Sequence, residues 1–233
     1  MPTCPTDVRV TDVHCHVPGD DDTVRELVVG RDFFGVHPWE VVARCDVDEG
    51  AVVSSLRAQL LSNPSAGVGE IGLDRLKERA VSPAMRAVFE AQLRLAVELH
   101  RPVVLHGAKC WGEVVEAVGR VAGRSAAGSA QAFLFHGFSR SGGLVPDIVA
   151  LNGYISVGPA ILNDHAVNYR ELARRIPADR LLVETDRTAE RAAECPSVRD
   201  VLAKLAEIRG EGVSALAAQT DANADRFLGL AQG

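Results

Sequence analysis

The sequence predicts an α/β protein of the TIM-type (β/α) barrel class, distorted and with seven clear strands. Short apolar runs alternate with amphipathic helical patterns along the chain, and several of these runs are apolar throughout. Such runs are typical of parallel strands that are buried on both faces. A length of 233 residues suits one domain of this class, spanning residues 1–233,. An open doubly wound sheet is the alternative, but no glycine-rich phosphate-binding loop follows the first apolar run,.

Each predicted strand is a short run with β-branched or aromatic residues and little polar content. The runs cover residues 8–14, 33–36, 66–72, 102–106, 132–136, 153–158 and 180–186. The segments between them space their apolar residues three or four apart, which predicts helices at 82–100, 112–123, 141–151, 168–176 and 197–210,. Ser82 followed by Pro83 indicates a helix start, with the serine as N-cap and the proline at the first helical position.

Composition and charge narrow the class of protein. The formal net charge is −6, which argues against binding nucleic acid by bulk electrostatics, although bound metal ions would reverse the local charge of a site,. No apolar run approaches about 18 residues, so no membrane span is expected,. The five cysteines form no CxxC pair, and the N-terminus lacks the pattern of a signal peptide,. We therefore expect a cytoplasmic protein with reduced thiols.

The residues that end the predicted strands share one property, which is that each can bind a metal ion. They are His14, His16, Glu70, His106, His136 and Asp186. In a parallel barrel the carboxyl ends of all strands open on one face, and that face carries the active site. Because alternate strand residues point the same way, His14 and His16 share a side while Cys15 faces the other. A lone histidine there is usually structural, but six such residues together predict a convergent metal site.

The size of this ligand set favours two ions over one. A single catalytic ion usually takes three protein ligands and keeps a position open for water. Two divalent ions that share a carboxylate fit six ligands better. Imidazole with carboxylate suits zinc or manganese and, less obviously, magnesium. Such ions would activate water near neutral pH and stabilise the charge that develops on the substrate.

Seven motifs, in order along nearly the whole chain, carry a resemblance to a known family. The most specific is VGEIGLD at 68–74. The others are DVHCH at 12–16, GVHPW at 35–39, PVVLH at 102–106, FHGFS at 135–139, LLVETD at 181–186 and QTDANADRFLGL at 219–230. Through these seven motifs, the sequence resembles the TatD family of metal-dependent hydrolases, within the amidohydrolase-like barrel superfamily.

The resemblance implies a role for each predicted ligand. His14, His16 and Asp186 would bind one metal ion, and Glu70 would bridge to a second. His106 and His136 would hold that second ion. Asp186 would also act as the general base for the attacking water, so Asp186 and Glu70 are the predicted catalytic residues. The family is associated with DNA hydrolysis, often as a 3′ exonuclease, and with a magnesium requirement, so DNA is the expected substrate.

The sequence departs from the family pattern at three places. Only 18 residues separate His16 from Gly35, where the usual member has a further strand and helix, so the chain resembles a short subgroup that lacks one β/α unit. Arg187 replaces the small residue that usually follows the aspartate. Ala108 stands where an arginine often follows the motif histidine, with Lys109 next to it.

Four residues near the strand ends are predicted to contact substrate. His37 follows the second run, and the cationic residues that follow later runs are Lys109, Arg140 and Arg187. Cationic side chains there would bind a phosphate group. Trp39 and Trp111 could stack on a base or pack at the rim, and Asp74 could orient a ligand imidazole or cap a turn.

Three functions remain open on the sequence. A two-metal phosphodiesterase acting on DNA ends leads. An amidohydrolase or esterase, for example an aminoacyl-tRNA deacylase, is compatible with the same ligands. A non-catalytic metal-binding scaffold would be favoured by missing ligands, and none is missing. The sequence leaves the oligomeric state undetermined.

Overall fold

The computed structural model describes residues 4–44, 47–123, 131–139 and 142–230. Strands and helices alternate along most of the chain. In order they are β1 Val10–Cys15, β2 Val24–Val28, β3 Phe33–Phe34, α1 Pro38–Ala43, α2 Glu49–Ser62, β4 Gly67–Asp74, α3 Pro83–Glu98, β5 Val103–Ala108, α4 Trp111–Ala122, β6 Phe133–Phe135, α5 Val145–Ala150, β7 Gly153–Val157, α6 Val167–Arg175, β8 Leu181–Val183, α7 Val198–Arg209 and α8 Val213–Phe227. Short 3-10 turns precede several of these elements.

The chain divides into two compact units. The first unit comprises the described residues of 1–29, 136–145 and 154–233, and the second comprises those of 30–135 and 146–153. The family resemblance predicts a single domain, and this stays a prediction.

In the first unit, parallel strands carry the N-terminal and C-terminal motifs. β1 pairs with β2, and β7 pairs with β8, each pair in parallel. The end of β8 is joined to β1 where the Asp186 amide donates to the His14 carbonyl at 3.0 Å. Helices α7 and α8 pack on β1 and β8. The carboxyl ends of β1 and β8 therefore come together, and with them the HxH motif and Asp186.

In the second unit, four strands form one parallel ladder in the order β3, β4, β5, β6. All eight residues of β4 are buried, as expected of a strand covered on both faces,. Helix α3 packs against β4, and α4 packs against β5. Register pairs Gly72 of β4 with His106 of β5, which brings the ends of these two strands to the same edge.

All seven predicted strands are present, and the described residues contain an eighth, β2, that the sequence did not predict. Its sequence, VRELV, places two charged residues among five, so it lacks the apolar character of the other runs. β2 lies between His16 and Gly35, where a whole β/α unit was expected to be missing. The strand is present, and the structure has no helix between residues 16 and 35, all of which it describes.

The five predicted helices are present, and α1, α2 and α8 lie outside the predicted ranges. Helix α3 begins as predicted, because the Ser82 hydroxyl accepts from the Met85 amide at 3.1 Å and Pro83 occupies the first position. Helix α2 was not predicted, although Val52, Leu56 and Leu60 form its buried stripe four residues apart,.

None of the helices in the described part of the chain combines the length and the apolar character that a membrane span needs.

Candidate metal centre

The first cluster joins His14, His16 and Asp186 in the first unit. Each offers one ligand atom, and the three atoms lie within 4.8 Å of one another. The Nε2 atoms of His14 and His16 each lie 3.5 Å from Oδ1 of Asp186. Asp186 adopts a left-handed backbone conformation with φ of 50°, which turns its side chain back toward the end of β1,. The three residues predicted to share one metal ion are therefore together.

The charge state of Asp186 suits a metal ligand. Burial raises the pKa of this carboxyl, but hydrogen bonds from His14 and His16 outweigh it and hold the pKa well below its usual value,. The side chain keeps 48% of its surface exposed, so an incoming ion or water can reach it. An ionised, accessible carboxylate beside two imidazoles is a donor set for a divalent cation.

His136 lies in the first unit beside His14. Their ring centroids are 4.0 Å apart, and both side chains are buried. Nδ1 of His136 lies 3.7 Å from Oε1 of Glu184. The Glu184 carboxylate accepts from the Gly137 amide at 2.7 Å and from the Ser156 hydroxyl at 2.5 Å. Glu184 thus holds the turn that presents His136. The predicted sharing of one ion by His136 and His106 stays a prediction.

Asp12 supports the first cluster through hydrogen bonds to two of its neighbouring segments. Its carboxylate accepts from the Thr185 amide at 3.0 Å and the Thr185 hydroxyl at 2.6 Å, and from the His14 amide at 3.3 Å. Burial raises the pKa of Asp12 to about 7, although the bonds from Thr185 lower it,. Sequence reasoning gave no role to Asp12 or Glu184. The available signal was that both stand inside motifs, DVHCH and LLVETD, beside predicted ligands.

The second cluster joins Glu70 and His106 in the second unit. Nδ1 of His106 lies 2.6 Å from Oε1 of Glu70, and Nε2 of His106 lies 2.9 Å from Oδ2 of Asp74. Asp74 also accepts from the Leu76 amide at 2.5 Å and the Trp39 indole at 2.7 Å. Burial raises the pKa of Asp74, but these bonds together lower it to about 2. The ionised Asp74 fixes an N–H on Nε2 of His106, so that Nδ1, which lies toward Glu70, would be the ligand atom for a metal ion.

His37 lies next to this cluster, with Nε2 at 3.4 Å from Oε1 of Glu70. Its Nδ1 accepts from the Trp39 amide at 3.1 Å, which makes His37 the N-cap of α1. A neutral imidazole that accepts at Nδ1 carries its proton on Nε2. His37 therefore faces Glu70 as a hydrogen-bond donor. This geometry favours the predicted contact with substrate over a place among the metal ligands.

Arg187 is buried rather than directed into solvent. Its guanidinium forms an ion pair with Glu26 of β2, and Nε donates to the Val17 carbonyl at 3.2 Å. Its own carbonyl accepts from the His16 amide at 2.8 Å, and Glu26 accepts from the Gly19 amide at 2.9 Å. These contacts hold the loop after β1, where no helix follows. Arg187 also lines a cavity of about 520 Å³. Its contact with substrate stays a prediction.

The remaining predicted substrate contacts divide three ways. Lys109 is exposed on the turn after β5, with φ of 58°. Arg140 lies outside the described residues. Trp111 is buried at 6% exposure and packs against Gly107 and Phe135, so it is a packing residue. Trp39 is exposed.

The donor chemistry of both clusters fits a divalent metal ion. The first offers two imidazoles and an ionised carboxylate, and the second offers an imidazole that contacts Asp74 and a carboxylate. These are ligands of zinc, manganese and related ions. The chain thus contains candidate metal-binding groups at the ends of strands in both units.

Comparison with known proteins identifies the family. The model of the TatD related DNase family matches residues 23–229, which is most of the chain. The chain belongs to this family. Membership confirms the resemblance read from the motifs and the class of enzyme that it implies, a metal-dependent hydrolase.

Two curated relatives illustrate the range of the family. YabD of Bacillus subtilis, named a metal-dependent hydrolase, is 28% identical over 165 residues, which cover 69% of this chain and 61% of that protein. The chain thus matches about three fifths of the length of YabD. TatD of Escherichia coli K12, named a 3′-5′ ssDNA/RNA exonuclease, is 27% identical over 210 residues, which cover 84% of this chain and 77% of that protein.

Solved structures confirm the fold class. The TatD homologue YjjV of Escherichia coli has a TM-score of 0.78 and 22% identity, covering 94% of this chain and 97% of that one. A TatD family hydrolase from Entamoeba histolytica has a TM-score of 0.66 and 14% identity, covering 88% and 75%. At these identities the likeness shows the fold alone, and that fold is of the TIM-type class.

Proposed function

We propose that this TatD-family protein is a metal-dependent phosphodiesterase that releases nucleotides from the 3′ end of single-stranded nucleic acid. The observation that carries the proposal is the cluster of His14, His16 and Asp186, with three ligand atoms within 4.8 Å, in a chain of this family. Relatives named 3′-5′ ssDNA/RNA exonucleases support the substrate class. DNA would be a substrate and not a stable partner, as the net charge of −6 suggests,.

We infer that the working enzyme holds two divalent ions, magnesium, manganese or zinc. His14, His16 and Asp186 would bind one, Glu70 would bridge, and His106 with His136 would bind the other. When bound, the ions would supply a nucleophile from water at neutral pH and offset charge on the phosphate. This assignment rests on the donor chemistry of the described residues and on the family resemblance.

The protein's own residues would position the substrate and move its protons. Asp186, ionised and half-exposed, would accept the proton of the attacking water,. His37, held by α1 with its proton on Nε2, would donate a hydrogen bond to a phosphate oxygen,. Lys109 would add positive charge at the same edge of the ladder. Asp74 would keep His106 in one tautomer throughout,.

Nucleotide release from end-labelled single-stranded DNA with magnesium or manganese tests the proposal. Wild type should release mononucleotides, and His106→Ala should lose at least about 100-fold in rate, since removal of a ligand removes the transition-state stabilisation it supports. His165→Ala, a change at an exposed histidine, is the matched control and should keep full activity. Circular dichroism confirms that each variant is folded.

The same assay separates the alternatives. A 3′-phosphorothioate cap should block release while a 5′ cap should not, if degradation starts at the 3′ end. A folded, metal-loaded protein that leaves every oligonucleotide intact would refute the nuclease proposal. Metal-dependent cleavage of carboxylic esters or amides by that protein would then favour the amidohydrolase or esterase function.

A further inference from the structure

Trp39 is the feature of the second unit that the metal chemistry leaves unexplained. Its side chain is 42% exposed, whereas Trp111 in the same unit is 6% exposed. An indole with this exposure forgoes part of the hydrophobic gain that its large surface could provide on burial. Such a side chain at the edge of a catalytic cluster points to a ligand with a flat apolar face.

The indole is fixed in place next to the second cluster. Its Nε1 donates to Oδ2 of Asp74 at 2.7 Å, and the same oxygen lies 2.9 Å from Nε2 of His106. The ring centroids of Trp39 and His106 are 6.4 Å apart. One end of the indole is therefore anchored, and the ring lies beside His106, which would act on a phosphodiester.

Positive charge lies on the same surface. The ammonium of Lys77 sits 4.1 Å from the centroid of the Trp39 ring, at the distance of a cation–π contact,. Proteins bind single-stranded nucleic acid with such a pair of an aromatic ring and a cation, because bases stack on the ring and phosphates contact the cation.

We propose that Trp39 is a base-stacking platform for the substrate. The incoming base would displace the ammonium of Lys77 from the ring, and Lys77 would then contact a phosphate of the same strand,. The ligand class is a single-stranded oligonucleotide, recognised through the π-face of a base and not through its sequence. The proposal rests on the proposed function, since it names how the same site holds its substrate. It explains how a chain of net charge −6 can hold nucleic acid at one place.

Two variants separate stacking from the support that Trp39 gives to His106. Trp39→Phe keeps an aromatic face but loses the hydrogen bond to Asp74, whereas Trp39→Leu loses both. The substrates are an oligothymidylate with an intact 3′-terminal base and the same strand with an abasic 3′ residue. Stacking predicts that the preference in kcat/KM for the intact strand falls about 10-fold in Trp39→Leu and is largely kept in Trp39→Phe.

Lys77→Met tests the phosphate contact, and Leu61→Ala is the control for an exposed apolar residue, since Leu61 is 66% exposed on α2. Lys77→Met should raise KM several-fold and flatten its dependence on salt, while Leu61→Ala should match wild type. If the role of Trp39 is purely structural, each Trp39 variant should lower kcat/KM by the same factor for the intact strand and for the abasic strand. An unchanged preference in Trp39→Leu would overturn the proposal.

A binding measurement distinguishes this proposal from the proposed function. In the Trp111→Phe variant, the remaining tryptophan fluorescence comes from Trp39. Addition of phosphorothioate-linked oligothymidylate, which resists hydrolysis, should quench that signal by at least about 30% if a base stacks on the ring. Quenching without hydrolysis of ordinary DNA would refute the nuclease function but not the stacking role of Trp39. Hydrolysis without quenching would refute the stacking role but not the nuclease function.

Discussion

At the scale of single residues, two carboxylates outside the predicted ligand set organise the candidate centre. Asp74 holds His106 in one tautomer, and Asp12 joins the end of β8 to β1 through Thr185. Neither could be assigned from sequence, because an aspartate in a motif is equally consistent with a ligand, a cap or an anchor. Burial and hydrogen-bond partners distinguish these roles, and both are products of the folded chain.

Asp74→Asn should weaken the binding of one metal ion about 10- to 100-fold, because the amide cannot hold the proton on Nε2 of His106 as a carboxylate does,. Isothermal titration with manganese measures the effect. Glu98→Gln, which alters an exposed carboxylate paired with Arg57, is the matched control and should leave metal binding unchanged. Equal affinities in wild type and Asp74→Asn would show that Asp74 does not position His106.

Gly19→Ala should destabilise the protein by about 1–3 kcal/mol. A Cβ at Gly19 would lie 2.6 Å from the Arg187 guanidinium, which Glu26 and the Val17 carbonyl hold in place. Gly112→Ala is the matched control, because a Cβ there meets nothing within 4 Å on helix α4, and it should stabilise by about 0.5 kcal/mol,. Urea unfolding monitored by circular dichroism compares them. Equal stability of Gly19→Ala and wild type would show that Glu26 and the Val17 carbonyl do not hold the Arg187 guanidinium rigidly.

At the scale of elements, the short connection between β1 and β2 is the most unusual local feature. Parallel strands are normally joined through a helix of a dozen residues or more, yet here Cys15 and Val24 are linked by a loop alone,. The loop is held by Arg187 from beyond β8, through Glu26 and the Val17 carbonyl. The arginine that departs from the family pattern thus supports the segment in which the expected helix is absent.

Helix α8 explains a motif that the sequence presents without a reason. Asn223 is fully buried, and its Nδ2 donates to the carbonyls of Ala178 and Leu181 at 2.7 Å each. Asn223→Ala should cost about 2–3 kcal/mol, because the carbonyl of Ala178, in the turn before β8, and that of Leu181, its first residue, would lose this donor,. Ser214→Ala, at an exposed position of the same helix, should change the free energy of unfolding by less than about 0.5 kcal/mol,. Thermal and urea unfolding compare the two, and similar costs would argue against this role for Asn223.

At the scale of the whole molecule, the open question is whether the two compact units unfold together. A single domain, as predicted, unfolds cooperatively and gives the same midpoint by every probe. Both tryptophans, Trp39 and Trp111, lie in the second unit, whereas circular dichroism reports on all helices. We expect the two urea transitions to coincide. Separate midpoints would show that the units are independent domains.

Metal ions should raise the stability of the whole protein. An ion that binds only the folded state at 100 times its dissociation constant adds about 2.7 kcal/mol to the free energy of unfolding. Addition of manganese should therefore raise the thermal midpoint of wild type, and a chelator should reverse the shift. His16→Ala should show a smaller increase than wild type, since one predicted ligand is lost. An equal increase in both proteins would remove His16 from the ligand set.

The sequence by itself determined the class of fold, seven of the eight strands, the start of α3 and the family. These features follow from periodicity, capping residues and motif spacing, all of which are written locally along the chain. Only the tertiary structure decided that β2 is a strand, that Arg187 pairs with Glu26, that His37 lies beside Glu70, and that Trp39 is anchored on Asp74. The last three depend on polar partners that are distant in sequence, up to 161 positions apart for Arg187 and Glu26, and no local pattern records such partners. The strand β2 depends on pairing with β1, which stabilises a polar segment that would not be recognised alone,.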